Sequence, residues 1–287
     1  MAGPRKQAWL VHHYCQGEGL ADCMRLLCAD IEVECVDQHS SERHRESVLG
    51  RIASFDRIVA EPSIARQLVS KLPSDRVTIV PTLAFRGYHP DCFVLRHGGV
   101  AYPGPTGSSQ SLIAFCAFRA GLSAHEALAL YRREVYEACG YLDQWEESRE
   151  ETLASFAAHG FDLRRAFVAW SRRGPFMHSI IHPRIGCLHD VARAILEREG
   201  MELLPTHVLP PDRLASHEVV PVYPEIAIRL GIPGGLLFKR SGNQGFLDLP
   251  TYVRRAFNRF EKAPGAAPHG AYVPLVERVQ GAIGAFA

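Results

Sequence analysis

The sequence has little of what would place a chain outside the ordinary globular class. Its charges nearly cancel, with 32 Lys+Arg against 31 Asp+Glu, so nucleic acid and anionic membranes meet no broad basic surface and no nucleic-acid partner is expected. Long apolar runs are missing as well. Leu112 to Phe118, seven residues, is the longest obvious one, against the roughly 18 that a spanning helix needs. After Arg5 and Lys6 the chain is apolar only from Ala8 to Val11 before two histidines interrupt it, too short for an export signal, so a cytoplasmic protein without a membrane span is expected. Eight cysteines are present but no CxxC pair, and the nearest two, Cys23 and Cys28, are five apart, which argues against a structural zinc site and for reduced thiols in a core. Also absent are HExxH, Gly-x-Ser-x-Gly and GxGxxG.

What is present is a balanced composition, 47% hydrophobic and 22% charged over 287 residues, enough for one large domain or two small ones around a real core. Short β-rich runs alternate with helical spacing through the first hundred or so residues. Candidate strands are Gln7 to His13, Ile31 to Val36, Arg57 to Ala60 and Arg76 to Thr82. Between them Leu20, Met24, Leu27 and Cys28, then Val48, Leu49 and Ile52, then Ile64, Leu68 and Leu72 recur at helical spacing. Alternation of this kind predicts an α/β fold with an open, Rossmann-like parallel sheet whose ligands sit beyond the carboxyl ends of the strands. The pattern then turns helical, over Leu112 to Ala120, Ala124 to Gly140, Leu142 to His159, Leu163 to Arg172 and Ile185 to Gly200, with Gly121, Gly140, Gly160, Gly174 and Gly200 near the expected stops. Three consecutive parts are expected: 1–103 α/β, 104–204 helical and packed on it, and 205–287 mixed. Within the last, Ala263 to Ala271 reads as a loop.

Four constellations carry chemistry. His12-His13-Tyr14-Cys15-Gln16-Gly17-Glu18-Gly19 runs from a strand into a helix, where free N–H groups and the positive dipole end favour a thiolate at Cys15 and could hold an oxyanion or a phosphate. Gly17 suits a backbone approached closely by a ligand; equally, Cys15 could be a small buried residue at a tight turn. Gly87-Tyr88-His89-Pro90-Asp91 offers a base with a carboxylate to orient it, or a surface turn with Asp91 bonded to its own backbone. Gly104-Pro105-Thr106-Gly107-Ser108-Ser109-Gln110-Ser111 precedes an apolar helix and could supply an N-cap hydroxyl and free N–H donors to a phosphate, or simply cap the helix. Phe176-Met177-His178 with His182-Pro183 presents two histidines four apart, but Pro183 pushes His182 out of the α-region, so base work or hydrogen bonding suits them better than a metal, and no metal is expected. Arg172 and Arg173 just before that turn are candidates for phosphate contacts, as are Lys239 and Arg240.

In this order along residues 7 to about 200, the stretches Tyr14-Cys15-Gln16, His89-Pro90-Asp91, Gly104-Pro105-Thr106-Gly107, Phe176-Met177-His178 and His182-Pro183 resemble the capsular-polysaccharide biosynthesis acetyltransferases of WcbI type. His13-Tyr14 stands where the family pattern has Gly-Asn. The resemblance implies binding of coenzyme A or acetyl-CoA and O-acetyl transfer to a sugar of a capsular polysaccharide or its nucleotide-linked precursor. The catalytic residues would then be Cys15, His89, Asp91 and His178, and the cofactor contacts Gln16, Gly17, Thr106, Gly107, Ser108, Arg172 and His182. Cys15 could carry the acyl group in a ping-pong scheme or line the pocket. An esterase using the same strand-to-helix corner, or a nonenzymatic protein holding a nucleotide-like ligand, are the alternatives.

Overall fold

The computed structural model describes residues 5–68 and 72–286. Strands and helices alternate from the start as β1 (Gln7–His12), α1 (Gly17–Leu27), β2 (Ile31–Val36), α2 (Glu42–Leu49), β3 (Arg57–Ala60), α3 (Pro62–Leu68) and β4 (Val77–Ile79). The four strands form one parallel sheet in the order β2-β1-β3-β4, the open sheet that the alternation predicts. In β1 both faces are buried, as befits an inner parallel strand, whereas β2, at the edge, keeps Glu32 exposed between buried Ile31 and Val33. Leu10, Val36, Ile58 and Ala60 pack with Val48 of α2 and with Ala65 and Leu68 of α3 on one face. On the other, α1 packs against the helix Ile185–Arg198, so closely that a Cβ at Gly19 would lie 2.7 Å from Leu188.

Register brings His12 level with Val36 of β2 and Ala60 of β3, so three carboxyl ends finish together. Strand order reverses at β1, with β2 on one side and β3 on the other, which creates the crevice where open α/β sheets take their ligands.

The chain divides into two compact units: Met1–Ala84, Glu151–Phe176 and Ile181–Leu214 form the first, and Phe85–Glu150, Met177–Ile180 and Ala215–Ala287 the second. Three consecutive parts with bounds at 103 and 204 are thus replaced by interleaved segments. The cause is packing: Ile185–Arg198, expected in the middle part, covers the sheet through α1, while Leu112–Arg119 packs against Leu249–Lys262 and Val273–Ile283 from the end of the chain. Phe115 and Phe118 meet Phe257 and Phe260 with ring centroids 5.5 Å apart, an aromatic cluster within the second unit.

Most of the expected helices are present, with small differences at their ends. Ala124 to Gly140 is two helices, Ala124–Leu128 and Arg133–Ala138, and Gly121 and Gly200 take positive φ at helix stops. Leu249–Lys262, fourteen residues within the part expected to be mixed, buries Leu249, Tyr252, Val253, Ala256, Phe257 and Phe260. That is helical spacing, started by an Asp248 side chain accepting from Thr251 N–H at 2.9 Å. The expected loop Ala263 to Ala271 contains a short strand, Ala267–Pro268, paired with Leu95–His97.

Candidate functional site

The sequence-derived site residues fall in both units. In the first lie Cys15, Gln16, Gly17, Arg172 and His182, and in the second His89, Asp91, Thr106, Gly107, Ser108 and His178.

Cys15 occupies the turn between β1 and α1 and is buried. Its sulfur meets the backbone N–H groups of Cys15 and Gln16, the stabilisation of thiolate that a helix start provides, but burial outweighs it and, with the nearby Asp37 carboxylate, pushes the thiol up to about 11. The expected thiolate is corrected: at pH 7 only about one molecule in ten thousand carries it. Gln16, expected to contact a cofactor, instead closes a structural clamp. Its Nε2 donates to Leu83 O at 2.9 Å and Ile181 O at 2.8 Å, and its Oε1 accepts from Leu83 N–H at 3.0 Å. Three bonds commit both side-chain donors and one lone pair of the acceptor to the protein's own backbone. Gly17 is a glycine for internal reasons too. A Cβ there would stand 3.1 Å from Cys35 Sγ, 3.2 Å from Asp37 Cβ and 3.4 Å from His13 Cβ, so protein atoms, not a ligand, make the close approach.

His13 is buried with Nδ1 accepting from Tyr14 N–H at 3.0 Å and its other nitrogen bonded to the Val80 backbone. Desolvation lowers it to about 4 despite Glu61 nearby, so it is neutral at pH 7. His12, on the opposite face of β1, is lowered by burial and by the Arg45 guanidinium.

In the second unit His89 donates from Nε2 to Val220 O at 2.9 Å, which leaves the lone pair on its buried Nδ1 without a partner among the described residues. Burial pushes it down to about 3, His178 and Arg86 adding to the effect. His178 is brought to the same place, because its carbonyl accepts Val220 N–H at 2.8 Å. Asp91 is not the orienter of His89. Its carboxylate accepts from Ile113 N–H at 2.9 Å, Tyr141 Oη–H at 3.0 Å and Tyr223 Oη–H at 2.8 Å, at the start of the helix Leu112–Arg119. Burial raises its pKa while these donors oppose the shift, the signature of an anchor that organises three segments.

The Gly104–Ser111 stretch caps the helix that follows it: Ser111 accepts from Ala114 N–H at 3.0 Å, and Thr106, Gly107 and Ser108 lie ahead of that N-cap. Its donors surround the buried carboxylate of Glu218: Thr106 Oγ1 at 3.1 Å, Ser109 N at 3.1 Å and Ser109 Oγ at 2.6 Å. A Cβ at Gly107 would come within 2.7 Å of that carboxylate. The loop is an anion cradle, as its composition suggests, but the anion is the protein's own.

Arg172 is exposed at the end of the helix Arg164–Arg172 and lines no described cleft. Its neighbour Arg173 does, together with Arg184, Trp170 and Phe176, in a cleft of about 360 Å³ within the first unit. His182 is buried in the short strand His182–Pro183, outside the helical region as its following proline dictates. Among the described residues no group of three His, Cys, Asp or Glu is arranged to hold a metal ion, and no helix is long and apolar enough to cross a membrane. Sequence reasoning missed Glu218, for which no motif exists, and Asp37, for which a signal did exist: a carboxylate directly after β2, as in dinucleotide-binding crevices.

Compared with known proteins, the family model described as the polysaccharide biosynthesis enzyme WcbI matches residues 8–204, well over half of the chain. The chain belongs to the WcbI family. It is therefore a polysaccharide biosynthesis enzyme, and the WcbI match ends close to the end of the helix Ile185–Arg198. A solved structure of WcbI, described as the native protein without a disulfide between coenzyme A and a cysteine, aligns with a TM-score of 0.69 at 16% identity, covering 96% of this chain and 95% of that one. At that identity the likeness is one of fold, and it extends beyond the region matched by the family model. No curated protein matches the sequence.

Proposed function

We propose that this WcbI-family chain is a coenzyme A-dependent O-acetyltransferase of the cytoplasm that modifies a sugar of a capsular polysaccharide or its nucleotide-linked precursor. The observation that carries the reading is Cys15: a buried thiol at the head of α1, on the ligand-taking edge of the sheet, in a family with a solved member whose description pairs coenzyme A with a cysteine. The residues present suit such a coenzyme. Arg173 and Arg184 beside Trp170 and Phe176 offer the paired cations and aromatic faces that a nucleotide diphosphate asks for, a role that passes to Arg173 from its neighbour Arg172.

Acetyl-CoA, when bound, supplies the acetyl group as an activated thioester. The chain's own contribution starts with a protonated Cys15, which favours a pocket-lining role over that of acyl carrier because a thiol is a poor nucleophile. His89 is the candidate proton acceptor, through the lone pair at Nδ1, while its Nε2–H is fixed on Val220 O; burial makes it a weak base at rest, so it takes the proton only as the attacking hydroxyl oxygen forms the ester bond. His178 positions that carbonyl by holding Val220 N–H, and Asp91 holds the following helix in place.

The test is release of the coenzyme thiol from acetyl-CoA in the presence of nucleotide-linked sugars. Release that depends on the acceptor, and that falls on the order of 10²- to 10⁴-fold in His89→Gln, supports the reading. Acetate formed equally without any sugar would assign an esterase instead.

A further inference from the structure

Beyond the carboxyl ends of β1 and β2 the first unit holds a cleft of about 380 Å³, lined among others by His12, Asp37, Gln38, Arg45, Leu49 and Ile64. None of these residues is used by the function proposed above. We propose that this cleft binds the acceptor sugar, gripping its ring hydroxyls with Asp37, Arg45 and His12; the inference rests on the acetyltransferase reading and names where its second substrate goes.

The position is the first argument. Strand order reverses at β1, and the cleft opens where β1 ends at His12, where β2 passes into Asp37 and where Ile64 of α3 follows β3. It adjoins the candidate thiol, since the Asp37 carboxylate raises the Cys15 thiol and Asp37 Cβ lies 3.2 Å from where a Gly17 Cβ would be.

The lining is the second argument. Asp37 is buried and its orientation is fixed, with Oδ1 accepting from His39 N–H at 2.9 Å and Ser40 Oγ at 3.1 Å, so the carboxylate is held in place before any ligand arrives. Arg45 is held as firmly, its Nη2 donating to Asp37 O at 2.9 Å. His12 carries a buried Nδ1 with no partner among the described residues, an acceptor suited to a hydroxyl donor. An accepting carboxylate and a donating guanidinium, set beside the apolar Leu49 and Ile64, suit a ring that presents hydroxyls on its rim and C–H groups on its faces. The Asp37 cleft sets one guanidinium, Arg45, beside one carboxylate, whereas the other cleft sets two, Arg173 and Arg184, beside the single carboxylate Asp212, and so is the better match for the coenzyme's phosphates.

Saturation-transfer NMR with methyl hexopyranosides at millimolar concentration, run beside calorimetry with coenzyme A, tests this on the full chain. Asp37→Asn retains an acceptor for His39 and Ser40, and Arg45→Gln removes the second grip; circular dichroism checks that both fold. The expected result is a glycoside signal from the wild-type protein that survives saturating coenzyme A, at least tenfold weaker glycoside binding in both variants, and coenzyme A affinity unchanged within twofold. A wild-type protein that gives no glycoside signal would overturn the assignment. So would variants that lose coenzyme A and keep the glycoside, since the cleft would then be a nucleotide site while the acetyltransferase reading stood. Glycoside binding that depends on Asp37 in a protein that takes up no coenzyme A would keep the sugar site and sink the proposed activity.

Discussion

At the scale of single residues, burial decides the chemistry at two positions where motif reasoning points elsewhere. The start of α1 supplies N–H groups to Cys15, an effect typically worth up to about 1 kcal/mol at a helix end, whereas the upward move of the thiol from 9.0 to about 11 is on the order of 3 kcal/mol. Alkylation of Cys15 by iodoacetamide, followed by peptide mass spectrometry, is therefore expected to be slow at pH 7 and to accelerate about tenfold per pH unit up to roughly pH 10. A rate that levels off below pH 8 would show a stabilised thiolate. His13 makes the complementary case. Its folded value, about 4, lies below the ordinary 6.5, so the stability it contributes is complete above pH 6.5 and is lost as pH falls toward 4, about 3 kcal/mol in all. Chemical denaturation from pH 7 to pH 4 is expected to show a shallower decline in His13→Gln than in wild type; parallel declines would mean that His13 is not buried neutral.

At the scale of elements, side chains that read as ligand grips hold segments together. Gln16→Ala would strand both backbone groups of Leu83 and the carbonyl of Ile181, and is expected to cost about 3 kcal/mol in urea denaturation; a loss below about 0.5 kcal/mol would contradict the clamp. Glu218→Ala would leave Thr106 and Ser109 without their acceptor, with a similar loss expected. Legibility follows the same line. β1 to β4 were readable because apolar runs and helical spacing are local signals, and helix stops at Gly121 and Gly200 because positive φ selects glycine. Leu249–Lys262 carried an equally local period that the proline-rich context hid. The cradle at Thr106 was legible as an anion site, but its occupant was not, since Glu218 lies over a hundred residues away and only tertiary structure brings it there. His89 and Asp91 illustrate the limit of spacing: two residues apart, they bond to Val220 on one side and to Tyr141 and Tyr223 on the other.

At the scale of the whole molecule, the chain order of the motifs identified the family, while the two compact units cut across that order. The first unit carries the parallel sheet, the thiol and both clefts, so the two proposed ligand sites draw on that unit's residues. Arg184→Gln is expected to weaken coenzyme A at least tenfold by removing one of the two cations in its cleft, an outcome that calorimetry reads directly. The central claim is that this polysaccharide biosynthesis enzyme works with coenzyme A. Isothermal titration of the purified wild-type protein with coenzyme A and acetyl-CoA, after native mass spectrometry to detect carried-over ligand, tests that claim most directly. Saturable binding in the micromolar range is expected; no heat from either ligand, with a native spectrum of ligand-free protein, would rule coenzyme A out.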